Sequence, residues 1–391
     1  MKIIHITASY KPAYIYGGPI QSVAKLCEAI AAEAQPNGID LQVFTTTANG
    51  KTELQVDTKK PMPVDGVFVT YFKRLTKDHS HFSPQLLLKL GKVIRAERSN
   101  QKIVIHIHAW WNLVSILSCF IAKWYAVPVV ISPRGMLTSY SQNNRNSFFK
   151  RLIHNTVGER LLKYCHIHAT SKQEVQDIEL IFKPKSINVI HNLVQILEMP
   201  ENDDCLATIP EPSPFRLIFL SRLEQKKGLE LLFKALANLS IAWSLTIGGS
   251  GEEQYVESLK QKAIQLKLDD RIKWIGQVSN QDKFSKMAGH DLLLLTSYNE
   301  NFANVVIESL SVGTPVLISD RVGISEYVRE NDLGWITSLN PGEIVKILSS
   351  AAQDHEKRSL IRKEAPTLIK KDFSYTNLVQ KYLTLYQNTA N

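Results

Sequence analysis

The segment from Asp291 to Ser319 places the strongest constraint on how this chain can fold. It begins with DLLLLTS, a short apolar run bounded by polar residues, which predicts a strand buried on both faces. The stretch from Ala303 to Val312 predicts a helix, which Gly313 and Pro315 end before a second buried strand, VLIS. A strand, a helix and a strand joined so closely form one unit of a parallel sheet, so we expect an α/β protein.

Similar strands and helices alternate along most of the chain, in two series separated by a linker. The predicted strands are at 2–8, 41–47, 67–72, 103–108, 129–132, 166–170 and 187–190 in the first series and at 216–221, 242–248, 272–277, 291–296, 315–319 and 334–337 in the second. The predicted helices are at 19–34, 83–97, 113–125 and 147–163 in the first series and at 229–239, 252–266, 281–288, 303–312 and 341–353 in the second. The 391 residues are enough for two domains, each with its own core. We predict an N-terminal domain at residues 1–195, a linker rich in proline and acidic residues at 196–214, and a C-terminal domain at 215–372. Residues 373–391 are expected to form a helix that packs back on the N-terminal domain. Two Rossmann-like domains of this kind would face each other across a deep cleft, lined by the carboxyl edges of their sheets.

Two glutamates lie in the first segment, one before the predicted helix and one on it. Glu300 lies in the loop that follows the strand, at the edge of an open α/β sheet where ligands bind. Glu308 lies on the helix, where it either holds a ligand or is an ordinary solvated charge. The backbone N–H groups of residues 302–304 lie at the helix N-terminus, which is an expected site for a phosphate group.

A second pair of candidate residues follows the first strand of the C-terminal domain. In the sequence SRLEQKKGLE, Arg222 and Lys227 lie at a strand-to-helix transition. Arginine as a fork and lysine as a point charge can together neutralise a diphosphate. A charged loop of this kind is often only solvated, but Glu300 and Glu308 lie on the same strand edge of the same domain. The combination favours a diphosphate-containing ligand.

The positive charge of the chain is concentrated in its first half. Residues 1–195 contain 24 Lys and Arg against 12 Asp and Glu, whereas residues 196–391 contain 22 against 25. The excess favours an anionic partner, either a membrane surface or a polyphosphate-linked substrate. Nucleic acid is not expected, because the sequence has no recognition-helix motif, RNA-binding signature or zinc finger.

One basic segment suits a membrane surface, and other features favour a cytoplasmic location. Residues 146–164, NSFFKRLIHNTVGERLLKY, either rest on an anionic leaflet or form an ordinary amphipathic core helix with a solvated basic face. The four cysteines have no paired or zinc-binding spacing, and the N-terminus lacks the layout of a signal peptide. The longest apolar region, residues 113–131, is interrupted by Lys123 and Pro128 and is too broken for a membrane span. We therefore expect a cytoplasmic protein, with any membrane contact peripheral and on the inner face.

The N-terminal domain offers fewer candidate site residues. The pair Gly17 and Gly18 either only makes the turn between the first strand and helix or lets the backbone approach a ligand. His106 and His108 alternate along one strand and share a face, and His108 lies nearer the carboxyl end of that strand. We therefore expect His108 rather than His106 to face the cleft. The other two strand histidines are interpreted as packing residues: His5 and His168.

Taken together, these segments resemble the family 4 retaining glycosyltransferases, which have the GT-B fold. The stretches SRLEQKKGLE, LTIGGSGEE, IKWIGQVSNQD and ENFANVVIESLSVGTPVLISD are similar, in order and spacing, to the donor domain of that family. The stretches YKPAYIYGGPIQSVAKL, IHIHAWWN and ISPRGML look like its acceptor domain. The resemblance covers nearly the whole chain, and its most specific part is the pair of glutamates combined with Arg222 and Lys227.

The resemblance implies a role for each matching position around a nucleoside-diphosphate sugar. Arg222 and Lys227 would bind the donor diphosphate and stabilise the leaving charge. Glu300 would contact hydroxyls of the transferred sugar, and Glu308 would hold the ribose. The remaining donor contacts would come from backbone groups near sugar, phosphate or base: Gly17, Gly18, Gly276, Val278, Phe302, Ala303 and Asn304.

The chain departs from the family pattern at two places. Many relatives have a histidine after the strand that here ends in ISPRGML, whereas this chain has Arg134, which we expect to bind an anionic group. With His108, it is the candidate for acceptor binding. The familiar Glu-Gly-Phe-Gly is here Glu-Asn-Phe-Ala, which adds the methyl group of Ala303 near the donor. Neither change removes the cations or the glutamates, so we expect activity.

The expected reaction is transfer from a UDP- or GDP-sugar to a saccharide or polyprenyl-diphosphate-linked acceptor, with retention of anomeric configuration. The resemblance favours a front-face displacement with no protein carboxylate as nucleophile. No Asp-x-Asp occurs in the chain, so we expect neither a metal nor a cofactor. Two alternatives stay open: a catalytically silent sugar-nucleotide-binding scaffold, and a sugar-nucleotide 2-epimerase on the same fold.

Overall fold

The structure is a computed structural model that describes residues 1–34, 36, 38–138, 154–196 and 214–391. The chain divides into two compact units, of which the first contains Met1–Leu193 and Tyr375–Asn391 and the second contains Val194–Ser374. Most of the predicted linker at 196–214, and the first half of the basic segment at 146–164, lie outside the described residues. Each unit is an α/β structure with its own sheet and core.

The first unit is built on an eight-stranded sheet. Its strands run in the spatial order tenth, ninth, eighth, seventh, first, second, sixth and fifth, and all neighbours are parallel except the fifth and sixth. The chain order reverses between the first and seventh strands, which is a switch point where ligands bind in such sheets. The strands are β1 (Lys2–Thr7), β2 (Asp40–Thr46), β5 (Met62–Val64), β6 (Val67–Phe72), β7 (Ile103–His108), β8 (Val129–Ser132), β9 (His166–Ala169) and β10 (Ser186–Val189), with a separate hairpin of β3 (Ala48–Asn49) and β4 (Thr52–Glu53).

The strands next to this switch point are apolar on one face and rich in histidine on the other. All six residues of both β1 and β7 are buried. Because side chains alternate along a strand, Ile4 and Ile6 share one face and His5 lies on the opposite face. The apolar face packs against two helices, α2 (Pro84–Glu97) and α3 (Leu113–Trp124). The helices before residue 200 are α1 (Gly18–Ala32), α2 (Pro84–Glu97), α3 (Leu113–Trp124), α4 (Glu159–Leu162) and α5 (Lys172–Glu179).

The second unit has a six-stranded, entirely parallel sheet in the order β13-β12-β11-β14-β15-β16, with β11 at Phe215–Leu220, β12 at Trp243–Gly248, β13 at Ile272–Gly276, β14 at Leu292–Leu295, β15 at Val316–Ser319 and β16 at Gly334–Thr337. Chain order reverses between β11 and β14, so these two strands form its switch point. Its helices are α6 (Leu229–Leu236), α7 (Glu253–Gln265), α8 (Asp282–Ala288), α9 (Asn304–Ser311), α10 (Ser325–Glu330), α11 (Pro341–Gln353) and α12 (His355–Asp372).

The last helix, α13 (Tyr375–Ala390), belongs to the first unit. It contacts α1 and the strands β7 and β8 on the histidine-rich face of the sheet. Its buried side chains include Tyr382 and Tyr386. The buried layer between this face of the first sheet and α13 is therefore polar, whereas the layer beneath α2 and α3 is apolar.

The predicted α/β class and the two Rossmann-like domains are confirmed. Predicted strands agree with those observed to within one or two residues at their ends, because the strands are short, apolar and bounded by polar residues. The helix predicted at Leu113–Tyr125 is also present, and no helix among the described residues is long and apolar enough to cross a bilayer. Three helices were not predicted at all: α5, α10 and α12.

Candidate active site

Three candidate charged residues lie in loops at the switch point of the second sheet: Arg222, Lys227 and Glu300. Arg222 comes two residues after β11 ends, and Lys227 ends a 3-10 turn at Gln225–Lys227 before α6 begins. Gly228 has φ 73°, and a Cβ there would lie 2.1 Å from the carbonyl oxygen of Thr296. Only glycine allows both that conformation and that approach, which brings the loop after β11 against the end of β14.

Lys227 contacts Glu300 across the switch point. The Lys227 Nζ and a carboxylate oxygen of Glu300 form an ion pair, with side-chain exposures of 9 and 20%. The Glu300 N–H donates to the carbonyl oxygen of Arg321 at 3.1 Å, and its own carbonyl accepts from the N–H of Gly323 at 2.8 Å. The carboxylate is therefore held by a fixed backbone, at the place where the sequence predicts sugar hydroxyls to bind.

Arg222 lies near this pair and is more exposed. Its Nη1 is 2.7 Å from Glu224 Oε1, and Lys226 Nζ is 3.7 Å from Glu224 Oε2. Burial, followed by the nearby charge of Lys227, lowers the pKa of Lys226. Three cations are thus gathered in one loop, and an anionic ligand would reduce their mutual repulsion.

Glu308 is not a solvated charge. It is 7% exposed on α9, and its Oε1 lies 2.6 Å from the Nζ of Lys283, which is 9% exposed on α8. Burial raises the pKa of Glu308, while the charge of Lys283 and its hydrogen bond act in the opposite direction. Within the described part of the chain, no hydrogen bond engages the second oxygen, Oε2. One oxygen is therefore fixed by Lys283 and the other can accept from a ligand, as the ribose role requires.

Lys283 is the residue of this site that the sequence did not indicate. It lies twenty-five positions before Glu308 in the chain, so no local spacing links the two residues. A lysine on the inward face of an otherwise amphipathic helix is an unusual choice. That pattern on α8, where Phe284 and Met287 are also buried, is the signal that could have revealed it.

The loop between Glu300 and α9 has a strained residue. Ala303 precedes the helix with φ 70° and ψ 75°, a left-handed conformation that costs a non-glycine residue about 1–2 kcal/mol. Phe302 anchors the loop, since it is 2% exposed with its ring 6.3 Å from that of Phe373. Asn304 starts the helix, so residues 302–304 do lie at its N-terminus. Their contacts with sugar and phosphate stay a prediction.

The turn after β13 lies beside the turn after β12. The carbonyl oxygen of Gly276 accepts from the N–H of Gly249 at 2.7 Å. A Cβ on Gly248 would lie 2.9 Å from Cγ2 of Val278, so the two turns are in close contact. Gly276 and Val278 therefore border the same sheet edge as Arg222, and their role toward a base stays a prediction.

In the first unit, Gly17 caps α1 and Gly18 begins it. Gly17 has φ 69° and donates its N–H to the carbonyl oxygen of Tyr14 at 2.9 Å, a conformation suited to glycine. A Cβ on Gly18 would meet no atom within 4 Å among the described residues. Packing therefore does not require glycine at 18, and the approach of a diphosphate to this turn stays a prediction.

Arg134 is held at the carboxyl end of the first sheet by several contacts. Its Nη1 donates to Ser22 Oγ at 2.9 Å and to Asn192 Oδ1 at 3.2 Å. The N–H of Gly135, the next residue, donates to Oε1 of the buried Glu174 at 2.8 Å. Nη2 is buried and meets no acceptor in the described parts of the chain. A guanidinium that is held in place and still has an unused donor suits an anionic group. This agrees with the prediction that Arg134 binds an anionic group of the acceptor.

His108 lies beneath Arg134 rather than at the surface. It is 1% exposed, with Nε2 2.9 Å from Nδ1 of His5 and Nδ1 3.4 Å from Nε of Arg134. Both ring nitrogens therefore face internal partners. The expectation that His108 itself contacts an acceptor does not agree with this burial; the imidazole supports Arg134 instead.

The other histidines extend this contact into a network that reaches the last helix. His106 lies 2.8 Å from the hydroxyl of Tyr386 and 2.6 Å from Oγ of Ser132. Ser132 in turn is 2.5 Å from His168, whose other nitrogen is 3.0 Å from the hydroxyl of Tyr382. Hydrogen bonds thus join β7, β8 and β9 to α13. The interpretation of His5 and His168 as packing residues is confirmed by their complete burial.

Among the described residues, one histidine cluster has ligand atoms close enough to suggest a metal. These atoms, on His5, His106 and His108, lie within 4.8 Å of one another. The nearby guanidinium of Arg134 opposes a divalent cation, and the ring nitrogens already have hydrogen-bond partners. We therefore interpret the cluster as part of the folded core.

The buried histidines make the stability of the first unit depend on pH. Burial lowers the pKa of both His5 and His168 to about 3, from an ordinary value of 6.5. The unfolded chain therefore takes up protons below about pH 6.5 while the folded chain does not, so stability falls as the pH falls. At about pH 5 we expect a loss of about 2 kcal/mol per histidine, measured by urea unfolding.

The matched variants for this experiment are His168→Gln and His79→Gln. His79 is exposed, so its replacement should leave the slope of stability against pH unchanged. His168→Gln should reduce that slope by the amount that corresponds to about one proton taken up on unfolding. Equal slopes in the two variants would show that the buried network is not the source of the pH dependence.

Comparison with known protein families shows which class of protein has this two-unit fold. Two family models match the chain: Glycosyltransferase Family 4 at residues 16–196 and Glycosyl transferases group 1 at residues 208–367. The chain belongs to this family, and the resemblance seen in its sequence is confirmed.

Several known proteins are similar along most of the chain. The glycogen synthase of Mycobacterium tuberculosis is 25% identical over 348 residues, which cover 85% of this chain and 81% of that protein. A lipopolysaccharide core biosynthesis glycosyltransferase of Rhizobium meliloti, LpsE, is 24% identical over 202 residues, covering 51% of this chain and 58% of that protein. The structure of HepE from Anabaena in complex with UDP-glucose has a TM-score of 0.73 at 20% identity, with 99% of this chain and 100% of that chain covered. This structural match shows the common fold.

Proposed function

We propose that the chain transfers a sugar from a nucleoside-diphosphate sugar to a saccharide acceptor with retention of anomeric configuration. The proposal depends above all on one observation, the ion pair of Lys227 with Glu300 at the β11–β14 switch point, with Arg222 in the same loop as Lys227. Cations suited to a diphosphate lie there beside a carboxylate suited to sugar hydroxyls. The name of a similar structure, HepE with UDP-glucose, supports the same class of ligand.

The chemistry we assign to the site is positioning and charge stabilisation. Arg222 and Lys227 bind the diphosphate and stabilise the negative charge that grows on it as the glycosidic bond breaks. Glu300, paired with Lys227, orients the transferred sugar and does not attack it. The departing phosphate oxygen accepts the proton of the acceptor hydroxyl on the same face of the sugar, which gives retention. Holding both substrates in this geometry supplies much of the rate enhancement.

Glu308 is assigned to the ribose of the donor. Its Oε1 is fixed by Lys283 at 2.6 Å, which orients Oε2 as an acceptor for a ribose hydroxyl. An acidic residue has the same role in dinucleotide-binding folds. We assign the backbone at Gly276 and Val278 to the base and the turn at Gly17 and Gly18 to the diphosphate.

We further propose that the reaction needs neither a metal nor a cofactor. The chain has no Asp-x-Asp, and Arg222 with Lys227 supplies the positive charge that a divalent cation would otherwise provide. Transfer should therefore continue in the presence of a chelator.

The acceptor we propose is a saccharide, free or linked to polyprenyl diphosphate, in the synthesis of a cell-surface polysaccharide. Arg134 has unused donors for an anionic group of the acceptor. The similarity to a lipopolysaccharide core glycosyltransferase supports this class of acceptor. The enzyme would then work at the cytoplasmic face of the membrane, as a peripheral protein.

A panel of sugar nucleotides tests the proposed donor. We expect one UDP- or GDP-sugar to raise the thermal midpoint, because a ligand bound only by the folded state stabilises it by about 2.7 kcal/mol at a hundred times its Kd. The free nucleoside diphosphate should stabilise as well, and the free sugar should not. A panel without any stabilising sugar nucleotide would contradict the proposal.

A further inference from the structure

Two large aromatic side chains on α3 are left open to solvent. Trp124 is 76% exposed and Phe120 is 48% exposed, although most large apolar residues of this unit are buried. They lie one helical turn apart, with ring centroids 6.3 Å from each other. Exposed aromatic pairs of this kind usually have a partner that covers them.

Basic side chains lie beside this pair in the chain and against the adjacent Tyr125. Lys123 lies between the two aromatic residues and donates from Nζ to the carbonyl oxygen of Arg160 at 3.2 Å. Next to Trp124, the ring of Tyr125 has the guanidinium groups of Arg95 and Arg98 at 5.9 and 5.5 Å from its centroid. We name this surface the aromatic–basic patch: Arg95, Arg98, Phe120, Lys123, Trp124 and Tyr125.

The helices around the patch have a strong positive excess. Residues 84–98, 113–124 and 159–163 contain seven Lys and Arg against two Asp and Glu. Both acidic residues already pair with lysine: Glu97 with Lys2 at 2.8 Å and Glu159 with Lys163 at 2.7 Å. The field outside the patch is therefore positive, and it selects an anionic partner.

We propose that the aromatic–basic patch docks on an anionic lipid bilayer. Tryptophan favours the boundary between headgroups and acyl chains, where the ring is in an apolar layer and its N–H remains hydrated. Lysine and arginine beside it attract the headgroups, each by about fivefold in binding. An anionic protein partner would be attracted by the cations alone, whereas a bilayer also accounts for the two exposed aromatic side chains beside them.

Within the first unit, the patch lies away from the candidate ligand-binding residues. Helix α3 starts at the carboxyl end of β7 and runs back along the sheet, so Trp124 lies at the edge opposite to Arg134. Docking at Trp124 thus leaves the turn at Gly17 and the guanidinium of Arg134 uncovered. The patch also continues into α4, the described end of the basic segment at 146–164.

Vesicle co-sedimentation of the full chain tests this docking. We expect binding to vesicles of phosphatidylglycerol and phosphatidylcholine, little binding to phosphatidylcholine alone, and a decrease with added salt. The double variant Phe120→Ala/Trp124→Ala should bind at least about tenfold more weakly, since it removes the apolar anchor. Arg95→Gln/Lys123→Gln should weaken binding by about fivefold for each charge.

Matched controls remove the same groups elsewhere. Ile264→Ala removes a side chain that is 52% exposed on α7 of the second unit. Lys260→Gln/Lys273→Gln removes two exposed charges from the second unit. Neither control should change vesicle binding, and none of these variants should change the stabilisation by a sugar nucleotide, which tests the proposed function separately.

Two results would overturn the docking proposal. The first is vesicle binding that is absent, or that is the same in the aromatic variant and the Ile264→Ala control. The second is a change in self-association, measured by analytical ultracentrifugation, without a change in vesicle binding. That second result would assign the patch to an interface between copies of the chain.

Discussion

Replacing either Arg222 or Lys227 by alanine should lower turnover at least about a hundredfold, as expected for the loss of one preorganised group that stabilises transition-state charge. Both side chains lie where a diphosphate would leave, one half-exposed and one nearly buried. Because their charge is needed most in the transition state, turnover should fall more than donor affinity. The measurement is release of the nucleoside diphosphate from the donor that stabilises the protein best.

The two variants should differ in stability, which separates folding from chemistry. The ion pair of Arg222 with Glu224 is exposed, so its loss should cost less than about 1 kcal/mol. Loss of Lys227 leaves the mostly buried carboxylate of Glu300 without its cation, which we expect to be more costly. Lys234→Ala removes an exposed lysine of α6 and is the matched control. Near-normal turnover in Arg222→Ala and Lys227→Ala would contradict the assignment of these two residues to the donor diphosphate.

The two glutamates should respond differently to substitution. Glu300→Gln keeps the shape of the side chain but removes the charge, so transfer should fall about a hundredfold while donor affinity changes little. Glu308→Ala removes the ribose acceptor, and a lost hydrogen bond to a charged group should weaken nucleoside diphosphate binding about tenfold or more. Calorimetry with the free nucleoside diphosphate measures both effects.

Substitution of Lys283 tests the role of Glu308 indirectly. Lys283→Met should weaken nucleotide binding even though the residue touches no ligand, because Glu308 loses the group that orients it and lowers its pKa. Affinity in that variant should fall as the pH falls, since Glu308 then protonates more readily. Lys286→Met, on the exposed face of the same helix, should not change nucleotide affinity.

For the glutamates themselves, equal losses of nucleotide affinity in Glu300→Gln and Glu308→Ala would show that their two roles have been assigned wrongly.

The sequence predicted the elements of the site better than their arrangement. Arg222, Lys227 and Glu300 were placed at strand ends, because short buried strands and the helices after them are readable from periodicity. Strand order was not readable, so the direct neighbourhood of β11 and β14, and the contact between Lys227 and Glu300, came only from the structure.

The polar interior of the first unit could not be predicted from the sequence either. His5 and His168 were interpreted as packing residues and His108 as an acceptor contact, yet the buried histidines form a network that Tyr382 and Tyr386 from the last helix complete. Contacts between residues so far apart leave no periodic signal. Helix α12 was missed for a related reason: its sequence is polar and has Pro366 inside, and packing on α9 stabilises it.

The proposed function is tested most directly by nucleoside diphosphate release from the stabilising sugar nucleotide, with a chelator present, in the unmodified chain and in Arg222→Ala. A metal-independent glycosyltransferase should release the nucleoside diphosphate, faster when a saccharide acceptor is added, and the variant should be slower by at least about a hundredfold. Tight binding of the sugar nucleotide without any release, with or without acceptors, would contradict it and would favour a sugar-nucleotide-binding scaffold.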